Sequence, residues 1–173
     1  MSKSALIIGR FQPIHVGHLS LIERYHRAGF FIKIGIGSSN NSLQKHHPLT
    51  ADEREEKIKG LMKEAKIKNY KIFHIPDIRK DKYYVKHVLK IVGRFDIIIT
   101  GNPSVLKLFL KYHSQHSWNI ESFEESISRP KGNITSGIIR RNWLKKPSRN
   151  GLPESVFRYL KKLNFSKRLK ELK

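Results

Sequence analysis

Cysteine is absent from this chain of 173 residues. Without thiols, neither a disulfide framework nor a thiolate metal site can form. Long apolar runs are also missing. No stretch approaches the length of a membrane span, and the first apolar segment, within MSKSALIIGRF, is too short for a secretory signal. We therefore expect a soluble, cytoplasmic protein, and the length predicts one domain over residues 1–173.

Acidic residues are scarce. Asp and Glu number 14 against 35 Lys and Arg, which gives a net charge of +21. Such a charge favours polyanionic partners: nucleotides, nucleic acid or acidic surfaces. A basic nucleic-acid-binding protein is therefore one candidate. However, the basic residues are spread along the chain and no helix-turn-helix, zinc finger or RNA-binding signature is visible, so we expect any binding to nucleic acid to be non-specific.

Short apolar runs alternate with helical patterns along the chain. The runs that predict strands cover residues 5–9, 30–37, 70–75, 95–100 and 117–124. The patterns that predict helices cover residues 18–29, 50–67, 83–92, 103–113, 136–145 and 153–163. This alternation indicates βαβ crossovers, so the predicted fold class is α/β: a Rossmann-like, doubly wound parallel sheet with helices on both faces.

The C-terminal part of the chain is strongly basic. Residues 145–173 carry ten basic and two acidic residues. Their apolar spacing still predicts docked helices, so we expect a C-terminal helical segment at about 135–165 and a loose basic tail after it.

The string GRFQPIHVGH follows directly after the first predicted strand. Gly9 permits a tight turn, and Gly17 at the helix entrance lets a phosphate approach main-chain N–H groups at the positive end of the helix dipole. His15 and His18, three residues apart, would share one side of the first helical turn. Arg10 adds a bidentate fork that suits phosphate. The pattern indicates an anion-binding loop.

Two other polar segments, IPDIRKDKYYVKH and TGNP, follow the third and fourth predicted strands. The carboxyl ends of parallel strands are where α/β sheets bind ligands. From the residues alone, the histidine pair could also be surface residues beside a turn or half of a zinc site, although no third ligand of obvious spacing follows. The strand, the glycine, H-x-G-H and the helix together favour phosphate binding.

The H-x-G-H string after the first strand resembles the signature of the nucleotidyltransferase superfamily, and GRFQPIHVGH is similar to the archaeal-type nicotinamide mononucleotide (NMN) adenylyltransferases. The resemblance continues in order through LTADER, IPDI, YYVKHV, TGNP, SGIIRR and LPESV. It implies joining of ATP to nicotinamide mononucleotide, giving NAD and pyrophosphate, by direct attack on the α-phosphate without a covalent enzyme intermediate. The alternative is a superfamily relative that uses another acceptor: nicotinate mononucleotide, phosphopantetheine, or a flavin or glycerol phosphate.

The resemblance also implies roles for individual residues. The catalytic set, which would bind the triphosphate and stabilise the transition state, is His15, His18 and Arg10. The remaining ATP- and phosphate-binding residues would be Gly9, Gln12, Gly17, Arg54, Thr135, Ser136 and Arg140. The mononucleotide would meet Asp81, Tyr84, Gly101 and Asn102. Mg²⁺ would bridge phosphate oxygens and keep most of its waters, and the protein would form a homo-oligomer.

One departure from the family pattern concerns a missing hydroxyl. Aligning Arg140 with the motif arginine places Thr135, Ser136 and Gly137 where the family shows Ser, then Gly or Ser, then Thr. Either Ser136 supplies the hydroxyl instead, or this phosphate contact is weaker.

A second departure concerns the mononucleotide pocket. Asp81 and Tyr84 stand where the family tends to have Asn and Trp. Tyr84 can still stack on a pyridine ring. The carboxylate of Asp81 can accept from a carboxamide N–H but would repel the carboxylate of nicotinate, so we predict a preference for the amide substrate.

Overall fold

In this computed structural model, the chain forms a parallel sheet flanked by helices. The structure describes residues 3–113, 117–122 and 134–172. The strands are β1 Ser4–Gly9, β2 Phe31–Gly37, β3 Tyr70–Ile75, β4 Ile97–Thr100 and β5 Asn119–Ser122. The helices are α1 Val16–Arg27, α2 Ala51–Glu64, α3 Tyr84–Val92, α4 Pro103–Tyr112, α5 Ser136–Lys145, α6 Glu154–Lys162 and α7 Phe165–Glu171. A short 3-10 turn, Asp81–Tyr83, precedes α3.

The five strands pair in the order β3-β2-β1-β4-β5, and every pairing is parallel. The chain builds outward from β1 to β3, then returns to place β4 on the other side of β1. This reversal between β1 and β4 opens a crevice at their carboxyl ends, which is where such sheets bind ligands. The predicted fold class is confirmed.

Side chains of the central strand alternate between two apolar clusters. Ala5 and Ile7 belong to the cluster covered by α1, α2 and α5 to α7, whereas Leu6 and Ile8 belong to the one covered by α3 and α4. Each of the four is at most 5% exposed. Full burial of a side chain such as Ile contributes roughly 1.5–3 kcal/mol. Burial on both faces explains why the strands read as continuous apolar runs.

The N-terminus of α2 carries a capping box. The Thr50 hydroxyl accepts from the backbone N–H of Glu53 at 3.2 Å, and the Glu53 carboxylate accepts from the backbone N–H of Thr50 at 2.8 Å. Two N–H groups that the helix cannot satisfy internally are thereby paired. This cap fixes where α2 begins.

Two strands start two residues later than the sequence predicts. β4 starts at Ile97 rather than at residue 95; Asp96, just before it, accepts from the backbone N–H and hydroxyl of Ser4 at 2.7 and 3.1 Å. β5 starts at Asn119, and the predicted strand residues 123 and 124 lie outside the described part of the chain.

The prediction of a loose tail after residue 165 is wrong. Phe165 has no exposed surface and packs nearly perpendicular to Trp143, with ring centroids 5.8 Å apart. One turn later, Nη1 of Arg168 lies 2.8 Å from both carboxylate oxygens of Glu53. A stretch that looks merely basic is therefore the docked helix α7. No helix among the described residues is both long and apolar enough to cross a bilayer.

We expect Phe165→Ala to lower the free energy of unfolding by about 3–5 kcal/mol, because it leaves a cavity in a packed aromatic cluster. Urea unfolding followed by circular dichroism measures the change. Leu144→Ala is the matched control, since Leu144 is 43% exposed and its truncation should cost about 0.5 kcal/mol or less. Equal, small effects of the two variants would mean that α7 is not part of the core.

Candidate active site

A cavity of about 1380 Å³ lies at the carboxyl ends of β1 and β4. The loop after β1, the turn before α3 and the starts of α4 and α5 line it. Twelve of the fourteen predicted site residues face this cavity: Gly9, Arg10, Gln12, His15, His18, Asp81, Tyr84, Gly101, Asn102, Thr135, Ser136 and Arg140. Gly17 and Arg54 do not.

The histidine pair forms the start of α1. His15 is the N-cap residue, and its ring centroid lies 3.7 Å from that of His18. The ring of Phe11 packs against His18 at 4.8 Å from the other side. A side chain at Gly9 would place its Cβ within 3.1 Å of the Phe11 ring. The glycine therefore allows Phe11 to hold the second imidazole in place.

Both imidazoles are neutral in this setting. Burial lowers the pKa of His15 to about 4. Burial, and then the nearby His15, bring the pKa of His18 well below its usual value. The Nδ1 atom of His18 accepts from the backbone N–H of His15 at 3.3 Å. Since a neutral imidazole has one N–H, that proton lies on Nε2 of His18, which is a hydrogen-bond donor.

Arg54 is a positioning residue beneath the site. It is 1% exposed and donates to the carbonyls of Thr50, Arg10, Gly37 and Ser38 at 2.9 to 3.2 Å. Burial lowers its pKa to about 10, so it stays charged at neutral pH. Contrary to the predicted phosphate contact, its guanidinium is committed to backbone carbonyls that shape the loops.

Gln12 also acts on backbone. Its side-chain amide donates to the carbonyl of Leu49 and accepts from the N–H of Leu49, both at 2.9 Å. These two bonds fix the loop after β1 to the segment before α2. Gly17 is buried in the first turn of α1 and does not line the cavity, so its predicted role at a phosphate stays a prediction.

Helix α5 docks its N-terminus on the same loop. Nη1 of Arg140 donates to the carbonyl of Gln12 at 2.6 Å, and the Ser136 hydroxyl donates to the carbonyl of Pro13 at 3.0 Å. Thr135 caps the helix by accepting from the N–H of Ile138 at 3.2 Å. A hydroxyl has a single proton to donate. Ser136 is therefore not positioned to replace the hydroxyl missing at Gly137.

Positive charge is concentrated at this edge of the cavity. Burial, and then the charges of Arg10 and Arg141, lower the pKa of Arg140. The guanidinium of Arg10 is exposed and makes no hydrogen bond or ion pair within the described part of the chain. The nearby carboxylate of Asp77 instead accepts from Ser38 and Asn41, at 3.1 and 2.7 Å. Arg10, and the N–H groups of Arg140 other than the one bonded to Gln12, are thus left available for an anion.

The opposite end of the cavity holds the four residues predicted to meet the mononucleotide. Asp81 is exposed at the 3-10 turn. Tyr84 is only 9% exposed and packs edge-on against Phe109, so most of its ring is cavity wall rather than stacking surface. Gly101 and Asn102 are exposed after β4, and Oδ1 of Asn102 caps α4 by accepting from the N–H of Ser104 at 3.0 Å.

The sequence prediction missed one imidazole of the cavity. His47 lines the same space as the H-x-G-H pair. No motif identifies it. The available signal is its position in the loop between β2 and α2, at the edge of the sheet where ligands bind. The described residues contain no group of three or more His, Cys, Asp or Glu side chains that could hold a metal ion.

Comparisons with known proteins agree with this architecture. A family model described as cytidylyltransferase-like matches residues 6–142. A nicotinamide-nucleotide adenylyltransferase of Thermoplasma volcanium is 31% identical, over 97% of this chain and 91% of the relative. One of Thermococcus kodakarensis is 32% identical, over 99% of this chain and 89% of the relative.

Two solved structures share the fold. They are the bifunctional NMN adenylyltransferase/ADP ribose pyrophosphatase of Francisella tularensis, with a TM-score of 0.79 at 19% identity, and its complex with AMP and a Mn ion, with 0.75 at 20%. This chain is covered to 99% but spans only 52% of either structure. By sequence, the chain belongs to the cytidylyltransferase-like family and, within it, to the archaeal nicotinamide-nucleotide adenylyltransferases.

Proposed function

We propose that the chain joins ATP to nicotinamide mononucleotide, giving NAD and pyrophosphate. One observation of the site carries the proposal: uncompensated arginines and neutral imidazoles converge on a preformed loop at the switch point of the sheet. The relatives named for this reaction align over nearly the whole chain. Adenylyl transfer suits such a site, because it needs in-line positioning and stabilisation of phosphate charge rather than covalent chemistry from the protein.

In the proposed reaction, a phosphate oxygen of the mononucleotide attacks the α-phosphorus of ATP. The new P–O bond forms as the bond from the α-phosphorus to the bridging oxygen breaks, and pyrophosphate leaves with the electron pair. Nε2–H of His18 donates to a phosphate oxygen, and Arg10 and Arg140 stabilise the charge that develops towards the leaving group. The N-terminus of α5, next to Arg140, provides further N–H donors.

The metal requirement follows from the same site. Among the described residues, the acidic side chains that line the cavity are Asp77 and Asp81, and Asp77 is already engaged with Ser38 and Asn41. This donor set fits a divalent cation that arrives on the phosphates of ATP. We propose Mg²⁺, which prefers phosphate oxygens and retained waters and would neutralise part of the triphosphate charge. From the family resemblance and the ATP substrate, we also propose a cytoplasmic homo-oligomer.

The histidine role is tested by His18→Ala. We expect kcat for NAD formation to fall at least about 100-fold, since a hydrogen bond to developing phosphate charge is lost. Pyrophosphate release is measured with ATP, Mg²⁺ and each acceptor separately: nicotinamide mononucleotide, nicotinate mononucleotide, phosphopantetheine and flavin mononucleotide. His26→Ala, two turns further along α1, is the control and should retain wild-type turnover. Full activity of His18→Ala would remove this residue from the mechanism.

The neutral state of His15 makes stability depend on pH. Its folded pKa is about 4, below the unfolded value of about 6.5, so only the unfolded chain binds the proton between these values. Stability should therefore fall as pH drops through 6.5, and His15 should contribute about 2 kcal/mol of that loss between pH 7.5 and 5. Urea unfolding of wild type and His15→Gln at both pH values measures it. Identical pH dependence of the two proteins would contradict a buried, neutral His15.

The carboxylate of Asp81 should set the choice of mononucleotide. We expect kcat/KM to favour the amide over the acid about three- to tenfold at low salt, with a smaller ratio at high salt because Asp81 is exposed. Asp81→Asn should reduce the preference, whereas Asp52→Asn, an exposed acid outside the cavity, should not. Equal turnover of both mononucleotides by the wild type would contradict this role of Asp81.

A further inference from the structure

His47 is held in place by its neighbours on both sides. Before it, the backbone pairs with Gln44 in both directions: His47 N–H donates to the Gln44 carbonyl at 2.9 Å and Gln44 N–H donates back at 3.2 Å. After it, Leu49 is bound to the side chain of Gln12 through two hydrogen bonds of 2.9 Å, and Nη1 of Arg168 donates to the Pro48 carbonyl at 3.3 Å. The imidazole therefore faces the cavity from a fixed backbone.

The ring nitrogen of His47 is not satisfied by the protein. Nδ1 is buried and has no hydrogen-bond partner among the described residues. A proton on this enclosed nitrogen would have no acceptor, so we assign the single proton of the neutral imidazole to Nε2. Because the imidazole lines the cavity, Nε2–H can donate to a ligand there.

The charges around His47 identify the ligand chemistry. Burial is the largest of the effects that lower the pKa of His47. The guanidinium groups of Arg10, Arg54 and Arg140 lower it further, and the carboxylate of Asp77 raises it. Arg54 and Asp77 are committed to hydrogen bonds within the protein, which leaves Arg10 and Arg140 facing the same space as His47. A neutral imidazole beside two cations suits a polyanion with many acceptor oxygens.

We propose that His47 is a third imidazole of the site, whose Nε2–H donates to the polyphosphate chain of the bound nucleotide. The identification of that nucleotide as ATP rests on the proposed function, but the contact itself concerns only a polyphosphate. His47 would thus extend the grip of the H-x-G-H pair from the other side of the cavity, beside Arg10 and Arg140.

Three variants of the full chain test the contact. His47→Ala removes the donor. His47→Gln places an amide N–H close to the position of Nε2 and is expected to rescue binding. His46→Ala is the matched control, since His46 is exposed on the same loop and does not line the cavity. Circular dichroism at pH 7.5 confirms that each variant is folded.

Calorimetric titration with inorganic tripolyphosphate and Mg²⁺, and separately with ATP and Mg²⁺, measures the contact without requiring turnover. The Kd of both ligands should rise about tenfold in His47→Ala, return close to wild type in His47→Gln and stay unchanged in His46→Ala. In steady-state assays, KM for ATP should rise while KM for the mononucleotide stays constant.

Several results would overturn the proposal. They are wild-type binding by His47→Ala, an equal loss in His46→Ala, a loss with ATP but not with tripolyphosphate, and a folded His47→Gln that binds as weakly as His47→Ala. Failure of the proposed function has a different signature. In that case tripolyphosphate binding depends on His47, yet no NAD forms from any mononucleotide.

Discussion

One buried guanidinium holds the nucleotide-facing loops together. Arg54 donates to the carbonyls of Arg10 after β1, Gly37 and Ser38 after β2, and Thr50 before α2. Removing a cation from water costs several kcal/mol unless hydrogen bonds replace its hydration. The loops supply those bonds only when they converge on Arg54. The geometry of the site is therefore tied to the burial of this side chain.

The C-terminal helix supports the same arrangement from outside. Arg168 of α7 binds the Glu53 carboxylate, which also caps the first turn of α2. Burial opposes ionisation of Glu53, but the Thr50 backbone N–H and Arg168 together lower its pKa. The loop before α2 is in turn fixed to Gln12, whose carbonyl accepts from Arg140. Hydrogen bonds thus connect α7, α2, the loop after β1 and α5, although these segments are far apart in sequence.

Sequence patterns were enough to predict those parts of the molecule that depend on residues close together in the chain. Continuous apolar runs mark strands that are buried on both faces, and the spacing of Thr50 and Glu53 marks a helix start. The histidine pair is identifiable because its two members share one helical turn, so the spacing in sequence equals proximity in space. The sequence motifs also predicted the family, and the aligned relatives confirm it.

What the sequence did not reveal depends on contacts between distant segments. The sequence motif predicted Arg54 at the phosphates, since three of the four carbonyls that accept from it lie after β1 and at the end of β2, far from it in sequence. Helix α7 reads as a basic tail, because its docking rests on Phe165 meeting Trp143 and Arg168 meeting Glu53. Amphipathic spacing over so short a stretch is weak, and no sequence pattern encodes such long-range pairs.

The central claim is that this site moves an adenylyl group directly from ATP to the mononucleotide. The most direct measurement uses ATP labelled at the α-phosphate, with nicotinamide mononucleotide and Mg²⁺, and follows the label into product and protein. Direct transfer predicts that the label enters NAD at the rate of pyrophosphate release and never becomes attached to the protein. Label bound covalently to the chain, or pyrophosphate released without labelled dinucleotide, would contradict it.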